Sequence, residues 1–275
     1  IFCIYEDRLS DIWIGTFGGG VNYFSYRSKK FFSVKEGIDD KPALKNNLVN
    51  AIWDEDRYLW LGTEGGLDQF DKINKNTKHF RYESNNKSSL SSDPVYALFK
   101  DSRNNFWVGT WTGGLNLYNY QTNSFIRFVP DNKPGSISSE NIFSIFEDSY
   151  KNLWIGTVGG GLNRYDYNTG LFKSYRHDPK NPKSLSFDII HDIKETHDGR
   201  LLIAAYGSLD VFNDTTDDFT HYPLSRFDSG NIYSRYITVI YVDSRQNIWL
   251  GTNDGLLLFN ENVNKWHIYT ILDGI

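Results

Sequence analysis

The sequence contains no methionine, one cysteine and seven prolines among its 275 residues. Because Cys3 stands alone, a fold held together by internal disulfides is excluded. No apolar run reaches the roughly 20 residues that a membrane-spanning helix needs, and no secretory signal opens the chain, so we expect no membrane insertion of this segment. Since the chain starts at Ile1 without an initiator methionine, we expect a piece of a longer protein whose localisation signals lie elsewhere.

The sequence has no strong excess of charge of either sign. Lys and Arg number 29 against 34 Asp and Glu, which gives a formal net charge of -5 and argues against a nucleic-acid partner. The six histidines are scattered without metal-ligand spacing. The sequence has neither a nucleophile elbow nor a glycine-rich loop that leads into a helix. We therefore predict no metal, no cofactor and no catalytic residue.

What the sequence does contain is an internal repeat. The motif Trp-x-Gly-Thr occurs five times, beginning at Trp13, Trp60, Trp107, Trp154 and Trp249. The first four copies are 47 residues apart, and the gap of 95 before the fifth holds a degenerate copy at 202–205. Six repeats predict a single domain over 1–275, with bounds near 1–47, 48–94, 95–141, 142–189, 190–236 and 237–275.

The fourth repeat shows the unit most clearly. It has four short β-rich runs, at 142–146, 153–157, 162–167 and 172–175, separated by turns rich in Gly, Asn and Asp. Such a meander, repeated six times, predicts an all-β fold, a β-propeller of six four-stranded antiparallel blades. A linear β-solenoid is the alternative. The six units either close as a ring or form most of a seven-bladed propeller.

Residues that recur once per repeat are expected to serve the blade. The Trp of each motif is predicted to be a packing anchor between blades, within an overall load of 8 Trp, 18 Tyr and 19 Phe. Four aspartates, each six residues before its tryptophan, are expected to hydrogen-bond the backbone of the first turn. These are Asp7, Asp101, Asp148 and Asp243.

Residues that vary between repeats are the candidates for recognition. In an up-and-down blade, the turn between the second and third strands shares a rim with the long inter-blade loop. The residue after Gly-Thr, or after the equivalent Ala-Ala of the fifth repeat, lies at that turn and is different in every repeat. The candidate ligand-binding residues are Phe17, Glu64, Trp111, Tyr206 and Asn253. Trp111 and Tyr206 are favoured because we expect them to be large exposed aromatics, whose faces suit the C–H faces of sugar rings. The alternative is that all five are tolerant loop positions.

The fifth repeat departs furthest from the pattern. It lacks the Trp and places His191 beside Asp192 in its first strand. Adjacent residues of a strand point to opposite faces, so a drifted blade is favoured over a catalytic His–Asp pair.

The repeat Asp-x-x-x-x-x-Trp-[IVL]-Gly-Thr-x-x-Gly-Gly-Leu-x-x-[YF]-[DN] resembles the two-component regulator propeller repeat over nearly the whole chain. Ser-Leu-Ser or Ser-Ile-Ser loops at 89–91, 136–138 and 184–186 are similar to that family too. The resemblance implies a periplasmic sensor region of a hybrid histidine kinase, which is part of an inner-membrane protein. It also implies neighbouring propeller or β-sandwich domains in the same chain, and transfers no ligand residue.

Three functions remain at this point. The first is a non-catalytic sensor that binds an oligosaccharide and signals to a cytoplasmic histidine kinase. The second is a structural propeller that supports a homodimer while another domain binds the ligand. The third is an enzyme, either a sialidase-like glycosidase or a quinoprotein, although the aspartate and Tyr-Asp motifs lack the spacing and cofactor residues of those propellers.

Overall fold

The computed structural model describes residues 1–37, 44–224, 236–253, 255–260, 265–270 and 273–274. These residues form six sheets, each of four antiparallel strands paired in chain order. The predicted fold class, a β-propeller of six four-stranded blades, is confirmed. Within the same described ranges, no helix combines the length and the apolar character required to cross a membrane.

The chain divides into two compact units. Unit 1 comprises 1–129 with 140–142, and unit 2 comprises 130–139 with 143–275. Blades 1 to 3, in unit 1, consist of β1 (Cys3–Glu6), β2 (Ile12–Gly15), β3 (Val21–Ser25), β4 (Lys30–Val34), β5 (Val49–Glu55), β6 (Tyr58–Thr63), β7 (Gly66–Asp71), β8 (Thr77–Phe80), β9 (Val95–Lys100), β10 (Phe106–Thr110), β11 (Gly114–Asn119) and β12 (Ser124–Phe128).

Blades 4 to 6 belong to unit 2, except that the first residue of blade 4 lies in unit 1. Their strands are β13 (Ile142–Glu147), β14 (Leu153–Thr157), β15 (Leu162–Asp166), β16 (Leu171–Tyr175), β17 (Ile190–Glu195), β18 (Leu201–Ala205), β19 (Ser208–Asn213), β20 (Asp218–Pro223), β21 (Ile237–Val242), β22 (Ile248–Thr252), β23 (Gly255–Asn260) and β24 (Lys265–Tyr269).

The second strands of blades 3, 4 and 5 are buried on both faces, which explains why they carry no charged residue. Every residue of β10, β14 and β18 is buried. In unit 1 the ring of Trp60 lies 4.9 Å from that of Phe106 in the next blade, and in unit 2 Trp154 lies 4.9 Å from Phe212. The predicted role of the motif Trp as an inter-blade anchor is confirmed at these positions, whereas Trp249 in blade 6 is only half-buried.

Three aspartates of the first turn, Asp7, Asp101 and Asp148, are buried, whereas Asp243 is half-buried. Oδ1 of Asp101 accepts hydrogen bonds from the backbone N–H groups of Arg103 and Asn105, as predicted. Its other oxygen accepts a hydrogen bond of 2.8 Å from the indole Nε1 of Trp107. The carboxylate therefore also orients the packing anchor, which the sequence did not predict.

The turn after the second strand meets the inter-blade loop within each unit. In unit 1 the N–H of Gly114 donates to the carbonyl of Glu140 at 2.7 Å, and in unit 2 the N–H of Gly159 donates to that of Asp188 at 2.8 Å. Gly114 has a φ of 80°, and a Cβ there would lie 2.3 Å from the carbonyl oxygen of Phe128, so only glycine fits the turn. These bonds form the rim that carries the predicted candidates.

A β-bulge interrupts the first strand of four blades near this rim. The register of pairing with the second strand skips one residue at each bulge. The skipped residues are Asn50, Tyr96, His191 and Thr238.

Candidate functional site

All five predicted candidates lie just after the second strand, at the rim where the turn meets the inter-blade loop. Two of them stand apart from the others. Phe17 is 74% exposed, and its ring makes an edge contact with Phe2, 5.8 Å between centroids. Asn253 is exposed at the equivalent place in blade 6.

In unit 1, two candidates are joined by two bulge residues. The amide of Asn50 donates a hydrogen bond of 3.0 Å to Oε1 of Glu64. The ring of Tyr96 lies 5.9 Å from that of Trp111, and the hydroxyl of Tyr96 is hydrogen-bonded to Glu64. Asn50, Glu64, Tyr96 and Trp111 thus form one group, called here the unit 1 rim cluster.

The carboxylate of Glu64 keeps its tyrosine partner protonated. Burial, reinforced by the hydrogen bond and the charge of Glu64, raises the pKa of Tyr96 to about 12. Tyr96 is therefore a hydrogen-bond donor to Glu64 at neutral pH. The unit 1 rim cluster offers a ligand an aromatic surface beside one carboxylate.

In unit 2, the candidate Tyr206 lies in the middle of a continuous series of rings. Its neighbours are Phe187 on one side, at 5.4 Å, and Tyr236 on the other, at 5.8 Å. Consecutive members of the series are His177, Phe187, Tyr206, Tyr236, His191 and Phe143. We call these six residues the aromatic row. It runs from the exposed inter-blade loop at His177 to the first strands of blades 4 and 5.

The imidazole of His191 is neutral and incompletely satisfied. It packs between Tyr236, at 4.3 Å, and Phe143, at 5.0 Å. Burial lowers the pKa of His191 to about 4. Its Nε2 is buried and has no hydrogen-bond partner among the described residues. Asp192 lies elsewhere, where its Oδ2 accepts a hydrogen bond of 2.8 Å from the N–H of Ile240, so the two residues form no catalytic pair.

The expectation that Trp111 and Tyr206 are exposed is wrong, because both are half-buried. Their rings lie against Tyr96 in one unit and against Phe187 and Tyr236 in the other, which removes part of each surface from water. The prediction that these positions bind a ligand is a separate matter and stays a prediction.

The bulge residues are the members of the site that the sequence reasoning missed. Each follows the Val or Ile that begins a first strand, and each differs from the others in type. That variability between repeats is the same signal that identified the residues after Gly-Thr. His191 was seen in the sequence, but only as a sign of a drifted blade.

Charged clefts elsewhere are already satisfied by their own ion pairs. A cleft of about 690 Å³ in unit 1 is lined by the first-turn residues of blades 1 and 2, at the opposite rim. Lys72 there contacts Asp54 at 2.6 Å, and Arg8 pairs with Asp56. Among the residues that the structure describes, no group of three or more His, Cys, Asp or Glu side chains could hold a metal ion.

Comparison with known proteins agrees with this architecture. The family model described as "Two component regulator propeller" matches residues 89–112, 136–159 and 234–254. A histidine kinase, P4 of Formosa agariphila, is 27% identical over 128 residues, which cover 44% of this chain and 9% of the kinase. The chain thus spans only a small part of that relative.

Solved structures share the fold at low sequence identity. The extracellular domain assigned to a hybrid two-component system of B. thetaiotaomicron is 20% identical, with a TM-score of 0.79 over 97% of this chain and 34% of that one. Virginiamycin B lyase from Staphylococcus aureus is 12% identical, with a TM-score of 0.68 over 98% of this chain and 83% of that one. The chain is a β-propeller, and three of its segments match the two-component regulator propeller repeat that its sequence resembles.

Proposed function

We propose that the chain is the ligand-recognition part of a non-catalytic, extracytoplasmic sensor in a hybrid two-component system. Its ligand is an oligosaccharide or polysaccharide fragment, and the signal passes to a cytoplasmic histidine kinase. The observation that carries the proposal is the rim. Variable aromatic, amide and carboxylate side chains, held in contact by hydrogen bonds and ring packing, lie on a scaffold that otherwise repeats itself.

The similar proteins support the setting of this proposal. Their descriptions name an extracellular domain of a hybrid two-component system and a histidine kinase. By analogy, we propose a periplasmic location for this chain, with further propeller or β-sandwich domains beside it and a homodimer as the signalling form. Ligand binding would then act by favouring one of two arrangements of the dimer.

Calorimetric titration of the full chain with a panel of oligosaccharides tests the proposal. We expect saturable binding of at least one member, together with a rise in the thermal unfolding midpoint that grows with ligand concentration. Replacing both Trp111 and Tyr206 by Ala is expected to weaken that binding. Unchanged affinity in the double variant would favour the scaffold role, in which another domain holds the ligand.

A catalytic role is the competing function, and the fold permits it, since virginiamycin B lyase is a propeller too. To distinguish a sensor from an enzyme, the chain is incubated with aryl glycosides and with each oligosaccharide that binds. Recovery of intact ligand after prolonged incubation is the expected result, and product formation that depends on Glu64 would contradict the sensor proposal.

A further inference from the structure

We propose that the aromatic row of unit 2 is an extended platform for a chain of uncharged sugar residues, with His191 as the hydrogen-bonding group at its inner end. This inference rests on the proposed function and assigns the ligand to one surface. None of the ring positions except Tyr206 was a candidate from the sequence.

The spacing of the row suits a linear ligand of several residues. Successive ring centroids are 4.3 to 6.0 Å apart, which is comparable with the length of a pyranose unit. Phe187 is 45% exposed, and His177 beside it is exposed, so the outer end is open to solvent. Rings presented in series gain affinity by packing against apolar C–H faces. A ligand should therefore bind more tightly as it covers more of the row.

The charges beside the row favour an uncharged ligand. Among the residues that the structure describes, Arg176 is the cation nearest to the row along the chain, and its Nη2 lies 3.0 Å from Oδ2 of Asp188. The same guanidinium donates to the carbonyl of Gly159, and the other oxygen of Asp188 accepts the N–H of His177. A carboxylate or sulfate on the ligand would have to compete with Asp188 for this cation, and the buried His191 stays neutral.

His191 supplies the polar contact that the rings cannot. Its buried Nε2 lacks a partner among the described residues, which is unfavourable for a polar atom removed from water. A hydroxyl that enters beside Tyr236 would provide that partner. His191 is the residue that the register skips at the β-bulge, and its imidazole lies against the rings of Tyr236 and Phe143.

The length series is the first test. The full chain is titrated with cello-, xylo- and manno-oligosaccharides of increasing length and with oligogalacturonate. Affinity should rise with length for one uncharged series and should be weaker for oligogalacturonate. Phe187→Ala and Tyr206→Ala should each lower that affinity about tenfold, the equivalent of one good stacking contact. Tyr150→Ala is the matched control, because Tyr150 is 71% exposed in the same unit at the opposite rim.

His191→Phe is the second test and separates binding from folding. The variant keeps an aromatic ring but removes the unpaired nitrogen, so the stability of the ligand-free chain should stay the same or increase. Affinity should fall about tenfold, the loss of one hydrogen bond made in a dry site. Affinity and stability that fall together would mean a structural role and would overturn the assignment of His191.

The outcomes for the platform and for the proposed function are distinct. Binding that survives both Phe187→Ala and Tyr206→Ala leaves the sensor function standing and overturns the row as its site. Preference for oligogalacturonate over every uncharged series overturns the ligand class. If no oligosaccharide of the panel binds, the proposed function and this inference are both overturned.

Discussion

A single carboxylate in four of the six blades holds the first turn and the packing anchor together. In blade 4, Oδ1 of Asp148 accepts the backbone N–H of Asn152, and Oδ2 accepts the indole N–H of Trp154 at 2.7 Å. Blade 2 has a shorter first turn, and there Oε2 of Glu55 accepts the indole of Trp60 at 2.8 Å. The longer side chain reaches the same donor from one residue closer in the sequence.

Asp148→Ala should destabilise the chain by about 2–4 kcal/mol, because the buried indole N–H of Trp154 and two N–H donors of Asn152 lose their acceptor at once. Asp148 is 6% exposed, so water cannot replace it without opening the blade. Urea unfolding followed by tryptophan fluorescence measures the change. Asp166→Ala is the matched control, since Asp166 accepts similar turn hydrogen bonds in the same blade but is exposed. Equal losses in the two variants would show that the indole bond contributes nothing.

The third and fourth strands carry a second repeated contact, which differs in charge between blades. In blade 4, Oδ1 of Asn163 accepts the hydroxyl of Ser174 and the N–H of Ser138 from the inter-blade loop. In blade 5, Asp210 and His221 take these places, 3.0 Å apart. Asp68 and His79 form the equivalent pair in blade 2, at 2.7 Å. An acid in the third strand is thus matched by an imidazole in the fourth.

The ionic version of this contact should make stability depend on pH. The contact with Asp210 raises the pKa of His221 above its usual 6.5, against the opposing effect of burial. A raised pKa in the folded chain means that the stabilisation is complete below pH 6.5 and is lost as the pH rises through the raised value. The double variant Asp210→Asn with His221→Ser copies the pair of blade 4. Its urea midpoint should change less than that of the parent between pH 6 and pH 9, and equal slopes would contradict the pairing.

The glycine of Trp-x-Gly-Thr lies where the first strand of its own blade and the first strand of the next blade both approach closely. A Cβ on Gly156 would lie 2.3 Å from Oγ of Ser144 and 2.8 Å from Cγ2 of Ile190. Gly156→Ala should therefore destabilise unit 2 by about 1–3 kcal/mol through overpacking. Adding Ser144→Ala removes the nearer atom and should recover part of the loss in a double-mutant cycle. Additive losses would show that the Ser144 contact is not the cause.

At the scale of the whole molecule, the repeat period was enough to predict the fold but not the site. Trp, Gly and Thr each have a local reason to recur, so their spacing predicts one blade per period. The aromatic row depends instead on contacts between residues far apart in the chain, such as Tyr206 with Tyr236. A bulge depends on the pairing register of two strands, which no single strand sequence determines. The sequence therefore identified His191 as unusual but could not predict which residues its side chain contacts.

A ligand bound to the aromatic row should slow amide hydrogen exchange in unit 2 and not in unit 1. At a concentration of 100 times its Kd, a ligand stabilises the folded chain by about 2.7 kcal/mol. Amide hydrogen exchange should slow in β13, β17 and β18, and remain unchanged in β5 and β9 of unit 1. Mass spectrometry of peptides from the bound and free chain measures both sets. Protection confined to unit 1 would instead assign the ligand to the unit 1 rim cluster.

The bulges are positions at which the repeat tolerates substitution. The register of the strand ladder skips the residue at each bulge, and four different residue types, Asn50, Tyr96, His191 and Thr238, occupy this one position of the scaffold. If the rim binds the ligand as proposed, mutation at such a position should alter specificity with little loss of folding stability. The repeat thus separates the residues that evolution must preserve from those that it can change, and new specificities can arise blade by blade.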